Sequence, residues 1–265
     1  DKIFLRTGVA VNKGMQYSLL LIIVVGLGSS SYYGLIGLEK KELAAPVADN
    51  LLSDDAAYNE YNFREKNQEL FKKLGVTYLK KIEIISPDIQ QLDAKHTDRY
   101  LKNPDYYDRL EKKYRAQIAR GYVAPISVRF VNDKIGYGVF AESDIAKDQF
   151  VGEYTGRVMD LKNVKDTKYT WGYFTGHNKY GKTIDTSLDA GPAGNEMRFV
   201  NHDYQPNVKM QYIPQDGKWH VCYLANKPIK KGEQLLVDYG KRYWAGSRGE
   251  PHKFVSEDGN QFLTV

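Results

Sequence analysis

The sequence predicts an α+β fold that is mostly β and is preceded by a helical region. Between residues 54 and 120, apolar side chains recur with a period near 3.6 residues, which is typical of amphipathic helices. From residue 122 onward, short apolar runs are separated by Gly and Pro turns, as is typical of strands. Helical and strand-like segments do not alternate along the chain, so a parallel doubly wound sheet is disfavoured.

We expect five segments along the chain. They are an N-terminal flank over residues 1–14, a hydrophobic segment over 15–38, a helical region over 39–121, a main domain over 122–241 and a C-terminal tail over 242–265. With 265 residues, 42% of them apolar, the chain can form a substantial core.

Charge and cysteine content exclude several classes of protein. The 38 basic residues are interspersed with 33 acidic ones, so the net charge of +5 predicts no direct binding of nucleic acid. Cys222 is the single cysteine, which excludes an intrachain disulfide framework and a cysteine-cluster zinc site. This content fits an intracellular reducing compartment.

The hydrophobic segment over residues 15–38 contains no charged residue. It is long enough to span a bilayer of about 30 Å, although Gly and Ser residues dilute its second half. Three interpretations stay open: a membrane anchor, a targeting peptide, and a buried element of a soluble fold. Membrane association through this segment is therefore one of the expected interactions.

The helical region contains two long predicted helices. The first covers residues 58–74 and stops at Gly75, and the second covers 106–120 and is closed by Gly121. The apolar face of the first helix would comprise Phe63, Leu70, Phe71 and Leu74. We interpret the Lys and Arg residues of these helices as a solvated face rather than a binding site.

Four apolar runs of the main domain predict strands, over residues 126–131, 150–154, 220–224 and 234–237. Gly136 and Gly138 flank an aromatic residue, which would let the backbone approach a ligand closely. That motif lacks the third glycine of a dinucleotide fingerprint, and taken alone it favours a β-turn between strands.

Other catalytic chemistries are disfavoured by residue spacing. His220 and Cys222 would lie on one face of a strand without a second close pair of ligands, so we expect no metal site. A lone cysteine in an apolar strand is usually part of the core, which disfavours a Cys-His nucleophile. The sequence contains no serine nucleophile elbow and no Walker-type phosphate loop.

Several short motifs together resemble the SET-domain protein lysine methyltransferases. The motifs cover residues 136–141, 152–156, 184–185, 194–207 and 232–240, with an aromatic pair at 243–244, in the order and approximate spacing of that family. The resemblance extends over residues 122–244. It implies a SET-domain (β-clip) fold with a pseudoknot, in which the 194–207 segment is threaded through a loop closed by the 232–240 segment.

The resemblance also implies S-adenosyl-L-methionine as the cofactor and no metal. By this resemblance, the cofactor is contacted by the backbone of Gly136, Tyr137 and Gly138, by Tyr169, by the Asn201 side chain and by the His202 backbone. The reaction would be an SN2 transfer of a methyl group to the deprotonated amine of a substrate lysine, which enters through an aromatic channel. Arg198, Glu233 and Asp238 are assigned to structure.

The catalytic residues implied by the resemblance are Tyr239 and Tyr154. The residues expected to contact the substrate are Tyr154, Val237, Tyr239, Tyr243 and Trp244. Relatives carry Phe or Tyr where this chain has Val237, and the smaller side chain leaves room, so we expect transfer of more than one methyl group.

The chain departs from the family pattern in two places. Asp203 and Tyr204 follow the Asn-His pair where many relatives have Ser-Cys, and the cysteine clusters before and after the domain are absent. Tyr243, Trp244 or Phe254 would then close the channel. A histone tail is the expected substrate and nuclear chromatin the expected location. The alternative is a catalytically inactive SET-fold binding module tethered to a membrane.

Overall fold

The computed structural model describes residues 26–27, 30–31, 54–177, 183–244, 252–255 and 261–264. The chain divides into two units, residues 1–51 and 52–265. In the first unit, β1 (Gly26–Leu27) pairs with β2 (Ser30–Ser31) in antiparallel orientation. The rest of the expected hydrophobic segment lies outside the described residues. Within the described ranges, no helix has the length and apolar character needed to cross a membrane.

Four helices precede the main β region. They are α1 (Asp54–Lys73), α2 (Pro87–Gln90), α3 (Asp98–Leu101) and α4 (Pro104–Arg120). The two long predicted helices are confirmed, with earlier starts. Asn103 caps α4 by accepting a hydrogen bond from the Tyr106 amide, and Gly121 ends it in the left-handed conformation, with φ of 61°.

The second unit contains fifteen described strands and one more helix. They are β3 (Thr77–Tyr78), β4 (Glu83–Ile84), β5 (Ile126–Asn132), β6 (Gly136–Ala141), β7 (Phe150–Glu153), β8 (Arg157–Asp160), β9 (Thr170–His177), β10 (Thr183–Asp189), β11 (Ala193–Gly194), β12 (Asn201–His202), β13 (Val208–Gln215), β14 (Lys218–Ala225), β15 (Leu236–Val237), α5 (Lys241–Trp244), β16 (His252–Val255) and β17 (Gln261–Thr264). The Gly136 motif, which taken alone favours a β-turn, forms β6, which pairs with β5.

A five-stranded sheet with the order β12-β15-β13-β14-β7 organises the domain. The short strand β15 lies between β12 and β13 and is parallel to both. The connection from β12 to β13 therefore crosses a strand that comes about 30 residues later in the chain. This arrangement is the expected pseudoknot, and it brings the end of β12 beside the segment that carries Tyr239.

The helical region also supplies two strands to the β domain. β3 pairs in parallel with β11, and β4 pairs in parallel with β8 at the edge of a four-stranded sheet with the order β4-β8-β10-β9. Sequence patterns did not predict these strands, because two paired residues are too few to show a period. Backbone hydrogen bonds thus join the chain before residue 122 to the motif-bearing strands.

The face of α1 that packs on the domain contains both apolar and polar residues. Phe71 is fully buried against the rings of Tyr78 and Phe199, at centroid distances of 5.2 and 5.5 Å. The expectation that Leu74 belongs to the buried face is wrong: it is 39% exposed, because the helix ends at Lys73. The side chain of Phe63 lies outside the described structure.

Asn67 is the buried polar residue of α1. Its side-chain nitrogen donates to the Ile126 carbonyl and to Glu196 Oε1, each at 3.3 Å, and its oxygen accepts from the Val128 amide at 3.1 Å. The side-chain amide of Asn67 therefore satisfies buried hydrogen-bonding groups both of β5 and of the segment that precedes β12.

Replacing Asn67 with Ala should destabilise the protein. The substitution leaves buried groups on β5 and Glu196 without their partner, so we expect the free energy of unfolding to fall by about 2–4 kcal/mol in urea titrations. Lys66→Ala, at the exposed neighbouring position, is the control and should change it by less than about 0.5 kcal/mol. Equal effects of the two substitutions would contradict this role of Asn67.

Candidate active site

Tyr239 is held at two points of the pseudoknot. Its hydroxyl donates to the Val200 carbonyl at 2.8 Å, and its backbone amide donates to His202 Nδ1 at 3.1 Å. Burial raises the pKa of Tyr239 well above its usual value, so the hydroxyl stays protonated at neutral pH. Both contacts cross between segments that are more than 35 residues apart.

His202 is a buried imidazole at the pseudoknot. Its Nδ1 accepts from the Tyr239 amide at 3.1 Å and lies 3.2 Å from the Val237 carbonyl oxygen. Burial lowers the pKa of His202, which favours the neutral form. The ring therefore contacts both ends of the segment from Val237 to Tyr239.

A narrow cavity of about 300 Å³ lies on one side of Tyr239. Its lining residues are Tyr154, Lys168, Thr170, Trp171, Arg198, Val200, Tyr223, Tyr239 and Tyr243. Tyr154 donates its hydroxyl hydrogen to the Tyr169 carbonyl at 2.8 Å, and Trp171 Nε1 donates to the Tyr223 hydroxyl at 3.0 Å. We call this cavity the aromatic channel.

A wider cleft of about 850 Å³ adjoins the aromatic channel. Its lining residues are Asp133, Lys134, Ile135, Gly136, Tyr137, Lys168, Tyr169, Arg198, Phe199, Asn201, His202, Tyr239 and Tyr243. Four residues line both spaces, and Tyr239 is one of them. A group bound in the cleft and another in the channel would therefore meet beside Tyr239.

The back wall of the cleft is built from two amides and a glycine. Asn201 Nδ2 donates to the Tyr137 carbonyl at 3.1 Å. A Cβ atom on Gly138 would lie 2.9 Å from Gln234 Nε2 and 3.1 Å from Asn201 Nδ2. Both polar side-chain atoms of Gln234 are buried and lack a partner in the described ranges. Only glycine leaves room for these amides at this point.

Arg198 brings a cation to both spaces. It is 8% exposed, and its guanidinium donates to the carbonyls of Ala190 (Nε, 2.8 Å) and Gly191 (Nη2, 3.1 Å). Its guanidinium carbon lies 4.0 Å from the ring centroid of Tyr169. The bonds fix the loop after β10, and the charge disfavours a second cation in the channel.

Most of the site residues expected from sequence lie around these two spaces. Tyr154, Tyr239 and Tyr243 line the aromatic channel, and the cleft is lined by Gly136, Tyr137, Tyr169, Asn201 and His202. Gly138 lies behind Asn201.

Val237 and Trp244 are not among the lining residues of either space. Val237 is 1% exposed in β15, and Trp244 packs against the rings of His202 and Tyr239, with centroids 4.8 and 6.1 Å away. The side chain of Phe254 lies outside the described residues.

The sequence argument missed Lys168, Trp171, Arg198 and Tyr223 as lining residues. The run from Lys168 to Trp171 contains two aromatic residues, and that signal could have indicated Trp171. Tyr223 gives no such signal, because its role depends on how β14 packs against β9.

The pair of His220 and Glu153 lies apart from these spaces. His220 Nδ1 is 2.6 Å from Glu153 Oε1, and Cys222 is buried, which raises the pKa of its thiol well above the usual value. A buried thiol with a raised pKa is a poor nucleophile. No group of three or more His, Cys, Asp or Glu residues able to hold a metal occurs in the described part of the molecule.

Comparison with known families decides what this arrangement is. Residues 136–240 match the model of the SET domain. Residues 136–240 of the chain form a SET domain. The family predicted from the sequence is thereby confirmed, and so is the mostly β SET fold with its pseudoknot.

The SET-domain segment is similar to that of proteins named as histone-lysine N-methyltransferases. It is 36% identical over 109 residues to the putative enzyme ASHH4 of Arabidopsis thaliana, covering 40% of this chain and 31% of ASHH4. It is 33% identical over 143 residues to ash1 of Drosophila melanogaster, covering 53% of this chain and 6% of ash1. The chain thus spans less than a third of these relatives.

Solved structures show the same fold. The crystal structure of ATXR5 in complex with mono-methylated histone H3.1 superposes with a TM-score of 0.55 at 21% identity, covering 71% of this chain and 92% of that chain. A second structure, the ATXR5 SET domain in complex with histone H3, gives a TM-score of 0.53. The covered share of this chain exceeds the segment that the SET-domain model matches.

Glu196 should make stability depend on pH in a defined direction. It is fully buried, and burial raises the pKa of its carboxyl, although the Tyr78 hydroxyl and Asn67 donate to it. A raised pKa means that the folded state binds a proton more tightly than the unfolded state. Stability is therefore lost as pH rises from the unfolded pKa, about 4.3, through the folded pKa.

Glu196→Gln removes this ionisation, so the stability of the variant relative to wild type should increase between pH 5 and pH 8 in urea titrations. Glu65→Gln, at an exposed position, controls for the loss of one negative charge. A difference between Glu196→Gln and wild type that does not change with pH would contradict the prediction.

Proposed function

We propose that this protein is an S-adenosylmethionine-dependent protein-lysine N-methyltransferase. The observation that carries the proposal is the junction of the cleft and the aromatic channel at Tyr239. Such a junction suits a reaction between two partners that enter from separate spaces. The similarity to histone-lysine N-methyltransferases supports the same activity.

The residues of the cleft fit the proposed cofactor. After its bond to Tyr137, the Asn201 amide still has one N–H and its oxygen for a ligand. The backbone at Gly136 and Tyr137 and the ring of Tyr169 complete the wall. S-adenosylmethionine, when bound, supplies an electrophilic methyl group on a sulfonium sulfur.

The tyrosine hydroxyls of the channel are arranged as acceptors. Tyr239 and Tyr154 each use the hydroxyl hydrogen in a bond to a backbone carbonyl, so their oxygen lone pairs remain available. Each oxygen can accept one N–H of a lysine amine, which would orient the amine and leave its lone pair free for reaction. This is the role we propose for the two residues.

The channel also favours the neutral amine of the substrate. A lysine side chain that enters it leaves water for a wall of aromatic rings, which lowers the pKa of the amine. The adjacent cation of Arg198 acts in the same direction. The substrate lysine would therefore release its proton to solvent before it enters the channel, and no general base of the protein is required. Once the amine is bound, the rings of the channel exclude water; they are Tyr154, Trp171, Tyr223 and Tyr239.

Histone tails are the substrates that we propose, and chromatin in the nucleus is the proposed location. This step relies on the names of the relatives and on the histone H3 complexes of ATXR5. Transfer of more than one methyl group, expected from the small side chain at Val237, stays a prediction from the sequence, because Val237 lies in β15 and is not among the lining residues of the channel.

Tyr239→Phe should abolish most of the activity without disturbing cofactor binding. The substitution removes one lone-pair acceptor, and loss of amine orientation should lower turnover by about 100-fold or more. Transfer of labelled methyl groups to histones measures turnover, mass spectrometry counts the methyl groups, and calorimetry with S-adenosylmethionine measures affinity.

Tyr114→Phe is the matched control, because Tyr114 is a buried tyrosine whose hydroxyl donates to the Asp148 carbonyl away from the cleft and channel. Equal turnover of the two variants would refute the role of Tyr239. If the native protein shows neither methyl transfer nor cofactor binding, the alternative of an inactive SET-fold binding module replaces the proposal.

Gly138→Ala should weaken cofactor binding. The added methyl group would lie within 3.1 Å of the side-chain nitrogens of Asn201 and Gln234 and would displace the Asn201 amide from the cleft wall. We expect the Kd for S-adenosylmethionine to rise by about tenfold, the effect of losing one or two hydrogen bonds. Gly172→Ala is the control, because a Cβ there meets nothing within 4 Å. An unchanged Kd for Gly138→Ala would contradict this assignment.

A further inference from the structure

The outer face of α4 carries cations without carboxylate partners. Arg109, Lys112, Lys113 and Arg120 are exposed, and within the described ranges none of the four has a carboxylate at ion-pair distance. We call these four residues, together with the exposed Lys147, the basic face.

Helix geometry gathers the four α4 residues on one side. At 100° per residue they fall within an arc of about 100°. The buried residues Tyr114 and Ile118 lie on the opposite side of the helix. Lys147 lies near this surface: the pKa of Asp148 is lowered first by its hydrogen bond from Lys209 and further by the charges of both Lys147 and Lys113.

Two of the three acidic residues of α4 lie off this face and are paired with other cations. Asp108 and Glu111 lie 3.1 and 2.9 Å from Lys95 Nζ, and Arg115 lies 2.7 Å from Glu111. Asp105, in the first turn, is the one carboxylate of α4 on the outer side. Positive and negative side chains thus lie mostly on different sides of the helix. The net charge of the whole chain does not reveal this separation.

The cations of the basic face repel one another along the helix. Arg109 and Lys113 are four residues apart and Arg109 and Lys112 three apart, and like charges at these spacings destabilise a helix by about 0.2–0.5 kcal/mol per pair. An anionic partner would remove this repulsion.

The contacts that these cations make within the protein are with aromatic rings. Lys113 Nζ lies 4.9 Å from the ring centroid of Tyr114, and the guanidinium carbon of Arg120 lies 4.6 Å from that of Tyr122. Such contacts leave the hydrogen-bond donors of both side chains available to an anion.

We propose that the basic face binds the phosphate backbone of double-stranded nucleic acid without sequence specificity. From Arg109 to Arg120 the helix rises about 16 Å, a length over which a duplex presents about ten phosphate charges. Ala116 and Ala119 are the apolar residues between the cations, so the face has no large side chain to insert into a lipid bilayer. The proposal departs from the expectation of no direct nucleic-acid binding and does not rest on the proposed methyl transfer.

Binding of the full chain to a 30-base-pair DNA duplex, followed by fluorescence anisotropy between 50 and 200 mM salt, tests the proposal. If all five cations neutralise phosphates, the slope of log K against log salt should be about −4.5. Replacing Lys112 and Lys113 with Gln should reduce the slope by about 2 and weaken binding by about tenfold at low salt.

Lys72→Gln with Lys73→Gln is the matched control, because these two lysines are also adjacent and exposed but lie on α1. We expect its binding to equal that of wild type, and thermal unfolding should show that both double variants are folded. Absence of binding at 50 mM salt, or equal losses in the two double variants, would overturn the proposal. Binding to phosphatidylserine vesicles without binding to DNA would also overturn it and would assign the face to a membrane.

Discussion

The parallel insertion of β15 between β12 and β13 is the constraint on which the site depends. It sets His202 against the Tyr239 segment, and the bond from the Tyr239 amide to His202 Nδ1 holds the backbone that carries the tyrosine. The Tyr239 hydroxyl then reaches the Val200 carbonyl. Without this crossing, the cleft and the aromatic channel would not share a wall.

Backbone carbonyls determine which donor and acceptor atoms the polar side chains of the site leave available to a ligand. Tyr154, Tyr239 and Asn201 each donate a hydrogen to a main-chain oxygen. Two hydroxyls thereby become acceptors, while the amide keeps both functions. The positive charge beside them comes from Arg198, whose own donors are also bound to carbonyls. The main chain thus determines the direction of each hydrogen bond that a ligand can form.

Much of the fold and site could be predicted from short motifs, because Asn201, His202 and Tyr239 have chemistry that is unusual at the ends of apolar runs. Residues whose role depends on packing could not be predicted in this way. Tyr223 enters the channel only because β14 faces Trp171 on β9. Asn67 lies in a polar stretch of α1, and its bonds to β5 and Glu196 involve partners about 60 and 130 residues away, which local sequence patterns do not reveal.

The crossing of β12 over β15 also bears on how the protein is made. During synthesis the Asn201 segment leaves the ribosome before the strand that must lie beside it, and β12 and β13 have no neighbour at that edge until residue 237 has emerged. Long-range strand pairing of this kind is slow, and unpaired edges are prone to aggregate. Most strands of the nascent chain are therefore synthesised before the site can form. When β15 pairs with β12 and β13, it completes the site and covers the edge that is prone to aggregate.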